Sequence, residues 1–225
     1  MSTRTFLAIV TLAAGGAFLC GTAVSRDQAD KAQPVAADPP QPDLEAMKKM
    51  MEQWKQAMTP GEAHEKLSFF VGKWDTETKV WWDPSAPPVV TKGSAEAQWE
   101  LGKRIVLSRY KGTMMLPDFE AGGAPKAVPF EGLGLGGYDN VRKMYVGTWC
   151  DSMSTAILTF KGTADPDGKV YRFWGELDEP MLGVYGRYVK YVTRIVDEDT
   201  YVFEIYDLHA ADDYKVLEIT YKRKK

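Results

Sequence analysis

Imidazole and thiol chemistry in this chain must come from two histidines, His64 and His209, and two cysteines, Cys20 and Cys150. Asp151 and Ser152 follow Cys150, and Asp207 lies two residues from His209, so a Cys, His and Asp arrangement can be drawn. A nucleophilic thiol needs a base within hydrogen-bond reach and a third group to orient that base. No nucleophile-elbow context surrounds Cys150, and its plainer use is as a small hydrophobe on a strand. Two isolated imidazoles do not make the close ligand pairs of a zinc site, and His64 reads as an ordinary surface group. The set does not amount to a catalytic constellation, so an enzyme is the less expected class, and the cofactor is unknown from these residues.

Gly132, Gly134 and Gly137 satisfy the Gly-x-Gly-x-x-Gly spacing that elsewhere cradles a pyrophosphate. That use requires a helix to start directly afterwards, whereas Tyr138-Asp139-Asn140 makes a turn and another strand follows. The glycines fit better as a bend in a strand or as room for a bulky neighbour such as Trp149. Arg187 is the most informative charge. It shares strand parity with Val189, Tyr191 and Ile195, which aims it inward and calls for an anion. Glu176, Asp207 or a ligand carboxylate can serve.

These groups need a scaffold, and from Gly72 onward the sequence supplies strands. Trp74, Thr76, Thr78, Val80 and Trp82 alternate with charged residues, the period of two that separates an inner from an outer face. Gly93 to Trp99 and Tyr201 to Ile205 repeat the device. Turn chemistry divides the rest into Lys103–Met115, Phe130–Tyr138, Arg142–Cys150, Thr155–Thr163, Lys169–Glu176, Val184–Val196, Thr200–His209 and Asp213–Arg223. No helix interrupts them. About ten sequential strands joined by short links curl and close, because closure removes exposed edges, so the fold class is an all-β, antiparallel up-and-down barrel.

Alternating strand directions sort the links by end. One end collects short polar turns such as Asp139-Asn140 and Asp165 to Gly168. The other collects longer segments, Asp83–Pro88, Leu116–Pro129, Asp151–Ser154, Leu177–Gly183 and Ala210–Asp212, where a small barrel takes a ligand. Met114, Met115, Leu116, Phe119, Met153, Met181 and Leu182 should converge there, methionine being well suited to irregular apolar shapes. The expected ligand-contacting set is Trp82, Met114, Trp149, Met181, Arg187, Tyr191 and His209.

Phe6 to Leu19 is an apolar run before the small residues Gly21-Thr22-Ala23, so residues 1–23 read as a cleavable secretory signal. Leu19 is a poor fit for lipidation of Cys20. Residues 24–42, rich in Ala, Asp, Gln and Pro, read as a disordered linker, and 43–70 as helices preceding a barrel over 71–225. Leu44, Met47, Met51, Trp54 and Met58 recur at spacings of three and four, a narrow apolar stripe expected to dock on the chain's own barrel. The mature protein is then exported, periplasmic or extracellular, without a stable membrane span. With 225 residues, 44% hydrophobic, and a net charge of -3 with scattered cations, the chain has enough core for one substantial domain but no basic stripe for nucleic acid. Oligomeric state is not written in these features.

Gly72-Lys73-Trp74 has the Gly-x-Trp form found at the same place in lipocalins and related calycin barrels. It implies that Trp74 seals the barrel floor under a cation, Arg223 or Arg194. Nitrobindin-like barrels also open this way and carry a late histidine, which would make His209 a haem ligand. Across Gly61 to Lys225 the chain more closely resembles the bacterial family catalogued as domain of unknown function 1579. The stretches that carry this are Leu67 to Trp74, Gly136 to Asn140 and Trp149 to Met153. The family implies an exported β-rich module and no particular activity. The reading is a barrel that binds a small apolar or amphipathic molecule. The alternatives are a filled structural or protein-interaction module and a haem-binding or other enzyme.

Overall fold

The computed structural model describes residues 43–83, 85–118, 120, 122–179 and 183–225. The expected signal and linker lie outside them. Ten strands follow one another: β1 (Gly72–Val80), β2 (Val89–Glu100), β3 (Ile105–Asp118), β4 (Ala124–Asp139), β5 (Met144–Asp151), β6 (Leu158–Ala164), β7 (Val170–Glu179), β8 (Val184–Asp197), β9 (Thr200–Asp207) and β10 (Lys215–Arg223). Each pairs antiparallel with its sequence neighbours. The ring closes through β1 and β10, where Trp74 faces Arg223 and Val80 faces Leu217. Closure leaves no edge strand in the ring itself.

The alternation read in β1 is the burial pattern observed, with Trp74, Thr76 and Thr78 buried and Lys73, Asp75 and Glu77 exposed. The segment expected to be a long loop, Leu116–Pro129, is largely strand instead. β3 and β4 remain in register from Ile105↔Gly137 out to Asp118↔Ala124. Their partners stop earlier, β2 at Gly93↔Gly112 and β5 at Gly132↔Asp151, so the tip of the hairpin is a two-stranded ribbon. Pro117, Pro125 and Pro129 are tolerated there because each ribbon strand has one side without a ladder partner.

The tight-turn end is closed by a helical turn, α2 (Glu62–Glu65), and a 3₁₀ segment over Lys66–Phe70. Leu67 packs into a cluster with Val106, Tyr145 and Tyr171. Trp74 is fully buried, donates through Nε1 to the Phe70 carbonyl at 2.9 Å, and lies under the Arg223 guanidinium at 4.1 Å. Arg223 also donates to the carbonyls of Val71 (3.0 Å) and Phe69 (2.8 Å), tying the last strand to the plug. At Gly72 φ is +132°, and a Cβ would stand 2.8 Å from Arg223 Nη1, so the Gly-x-Trp entry needs its glycine. Arg194 lies elsewhere, paired with Glu204 at 3.1 Å.

His64 is not a surface group. It is 5% exposed, its Nδ1 accepts the Gly61 N–H at 3.2 Å, and its ring meets Tyr138 edge-on. The short helix lies over the barrel floor, which buries a position that sequence alone leaves exposed. The opposite correction applies to α1 (Leu44–Met58), which has no buried residue. Its stripe does not dock: Leu44, Met51 and Trp54 are each more than half exposed. The helix is held by its end, where Asn140 Nδ2 donates to the carbonyls of Gln56, Ala57 and Thr59, and Arg104 Nη2 donates to that of Met58 at 2.8 Å. These donors satisfy carbonyls that a helix C-terminus leaves unpaired. Among the described residues no helix is long and apolar enough to cross a membrane.

Candidate functional site

Above the sealed floor the barrel is not filled. A cavity of about 510 Å³ runs from Leu67 and Phe70 up to Trp82, Val89 and Met153 at the end with the longer links. Trp82 is 58% and Met153 43% exposed, so the space reaches solvent there. Strand parity builds the walls. Odd residues of β8 and β9 point inward, giving Tyr191 and Thr193, then Tyr201, Phe203 and Ile205. On the facing wall even residues of β3 supply Val106, Ser108, Tyr110 and Met114, and β5 supplies Trp149 and Asp151.

Gly132 and Gly134 make room for the Trp149 indole. A Cβ at Gly132 would overlap Cζ2 and Cη2 of the ring, and one at Gly134 would lie 3.2 Å from Cε3. The glycine triplet is thus a steric device, and a strand follows it, not a helix. Trp149 Nε1 donates to Asp151 Oδ2 at 2.9 Å, while Asp151 Oδ1 accepts the Met153 N–H at 2.9 Å. Both oxygens of the carboxylate nearest the mouth are therefore engaged.

Of the residues expected to meet a ligand, Trp82, Met114, Trp149 and Tyr191 line the cavity, as do Met115 and Met153. Leu116 lies on the ribbon outside the lining. Phe119, Met181 and Leu182 lie outside the described residues. Arg187 pairs with Asp207, Nη1 to Oδ2 at 3.0 Å, and does not line the space. Asp207 is 5% exposed, and its Oδ1 also accepts the His209 N–H at 3.0 Å. Arg187 Nε is buried without a partner.

The drawn Cys, His and Asp set does not assemble. Cys150 has the opposite parity to Trp149 and Asp151 and places its Sγ 3.8 Å from the Leu133 carbonyl on the outer face. The His209 side chain is exposed in the turn after β9, because the strand ends at Asp207. It does not reach the cavity, and His64 is below the floor. Among the described residues no histidine lines the space, so the residues present do not fit a histidine-ligated haem.

Among the lining residues, Tyr110, Phe160 and Tyr221 are not singled out by the sequence. Tyr201 and Tyr221 stack at 4.2 Å with an interplanar angle of 8°. Parity placed Tyr201 on the inner face already. Leu217, Ile219 and Tyr221 alternate with Glu218, Thr220 and Lys222, so the same period of two identifies Tyr221 as inward. Tyr110 shares its hydroxyl with Thr78 at 3.0 Å, and Tyr145 and Tyr171 donate to the carbonyls of Ala63 (3.1 Å) and Lys66 (3.3 Å). Burial pushes the Tyr191 phenol up to about 12 and that of Tyr201 well above its ordinary value, so both stay protonated donors.

None of the curated proteins matches the chain. Among solved structures, a redesigned beta barrel is similar at 13% identity with a TM-score of 0.37, covering 74% of this chain and 100% of that one. The family model described as "Protein of unknown function (DUF1579)" matches residues 59–223, from the end of α1 to the last residue of β10, and the chain belongs to that family.

Proposed function

We propose that the protein binds a small apolar or amphipathic molecule inside the barrel, entering between Trp82, Met114, Met115 and Met153. The observation that carries this is the cavity itself. About 510 Å³ falls within the ~300–1,000 Å³ typical of small-molecule pockets. Its walls are aromatic and aliphatic with a few hydroxyls, which matches the usual balance of apolar contact and sparse polar orientation. Lipocalin-type kinship belongs to the same proposal, supported by Gly72, Trp74 and the Arg223 cover. A protein-interaction module is the second reading, and it draws on the uncovered stripe of α1.

The neutral dye N-phenyl-1-naphthylamine tests the first reading. It should bind saturably, one per chain, with a rise in fluorescence. Ser108→Trp, which puts bulk on the inner wall, should weaken that binding about tenfold or more while the far-ultraviolet spectrum stays that of the native barrel. Saturable binding unaffected by the substitution would place the dye elsewhere and reject the reading.

We also propose that the barrel works outside the cytoplasm. The apolar run Phe6 to Leu19 and the small residues Gly21 to Ala23 support this. Intact mass of the natively processed protein should correspond to a chain starting near Val24. A retained Met1 would count against export, and a diacylated Cys20 against processing near Val24 without a lipid.

A further inference from the structure

Asp151 is the sole residue with a full charge among the described lining, and both of its oxygens are taken by Trp149 and Met153. The inward cation of the rim, Arg187, is closed onto Asp207. An anionic ligand group drawn below the mouth would therefore be desolvated without a counter-charge, and a cationic one would have only a carboxylate already engaged. Ions are poorly served in this interior.

Hydroxyls are another matter. Tyr191, Tyr201 and Tyr221 line the β8–β10 wall, and no described residue hydrogen-bonds their phenols. Nor are these oxygens sealed into packing, since among the described residues the fully buried side-chain polar atom without a partner is Arg187 Nε. They open onto the cavity, and the Tyr201 and Tyr221 rings stack face to face. Tyr110, Tyr145 and Tyr171 differ, having spent their hydroxyls on Thr78 and on carbonyls of the plug. An apolar occupant that displaces water from these phenols leaves them without an acceptor, so an oxygen carried by the occupant relieves that cost.

We propose that the natural occupant is an uncharged, largely apolar molecule bearing a carbonyl, ether or hydroxyl oxygen, which accepts hydrogen bonds from the tyrosine wall of β8–β10. This rests on the reading of the barrel as a ligand binder. The apolar body fills the space beside Trp149 and Phe160, and the oxygen lies deep, away from the mouth. Arg187 closes the rim and does not anchor the ligand.

The test uses the protein as the cell processes it, with N-phenyl-1-naphthylamine as reporter and three competitors of equal chain length: 2-decanone, decane and decanoate at pH 8. The ketone should displace the dye at a concentration about tenfold below that of decanoate, and about fivefold below that of decane, the worth of one net hydrogen bond. In the Tyr191→Phe, Tyr221→Phe double variant the ketone's advantage over decane, read as the ratio of their displacing concentrations against that variant's own dye affinity, should be lost. Decanoate competing as well as the ketone would overturn the claim of an uncharged occupant, a comparison that needs no variant. Ketone and decane competing equally in the wild type would overturn the role of the tyrosines. If the dye itself fails to bind, the barrel is no carrier and this inference falls with that reading.

Discussion

His64 is neutral in the folded protein by virtue of its place. Burial lowers its pKa below the ordinary 6.5, against a smaller upward pull from the Tyr138 backbone, and the nearby Arg104 charge acts in the same direction as burial. The unfolded chain therefore takes up a proton first as pH falls through 6.5, and stability drops until the pH passes the lower folded value. Above 6.5 the contribution is fully present. Denaturant unfolding at pH 7.5 and pH 5 should show a larger loss for the wild type than for His64→Gln, whose side-chain oxygen can still accept from Gly61. Equal losses would show that His64 does not titrate with folding. Nothing in the sequence marked this position, because a lone histidine on a four-residue helix carries no periodicity from which to infer a buried face. Arg187 was the reverse case. Its parity with Val189 and Tyr191 aimed it inward, and pairing of β8 with β9, which sets Val189 opposite Asp207, delivers the expected counter-charge.

At the scale of elements, strands were read well wherever one face is charged and the other apolar, as in β1 and β2. The β3–β4 ribbon was missed because Pro117, Pro125 and Pro129 and the small residues around them are turn chemistry in any local window. Only register carried through from Ile105↔Gly137 reveals it. For α1 the stripe was plain and its partner was not, since an amphipathic pattern states that a face wants cover and not what covers it. The helix hangs on the Asn140 amide and the Arg104 guanidinium. Asn140→Ala should thus raise amide hydrogen exchange along Leu44–Met58, where no packed face slows opening, and leave protection in β5–β10 unchanged. Exchange slowed equally in both proteins would mean that the exposed stripe is covered in solution.

For the whole molecule, the decisive feature is the division of the barrel into a packed floor and an open upper half. Trp74, Phe69, Phe70, Tyr201 and Arg223 knit the closed end through aromatic contacts and backbone hydrogen bonds. Stability concentrated there leaves the upper interior free to stay unfilled, at the cost of fewer packing contacts around Trp149 and Met114. A filled barrel was the competing expectation from sequence, and alternation could not separate the two, because inward residues look alike whether or not they meet across the axis. Glycine at 132 and 134 beside Trp149 shows how narrow that distinction is.

Native mass spectrometry of the protein purified from the cells that make it tests the occupied barrel most directly. The expected result is a chain carrying one small uncharged molecule, released on denaturation and absent from Ser108→Trp prepared in the same way. A chain that carries no small molecule as isolated, and that still takes up no neutral apolar compound when one is supplied, would contradict it.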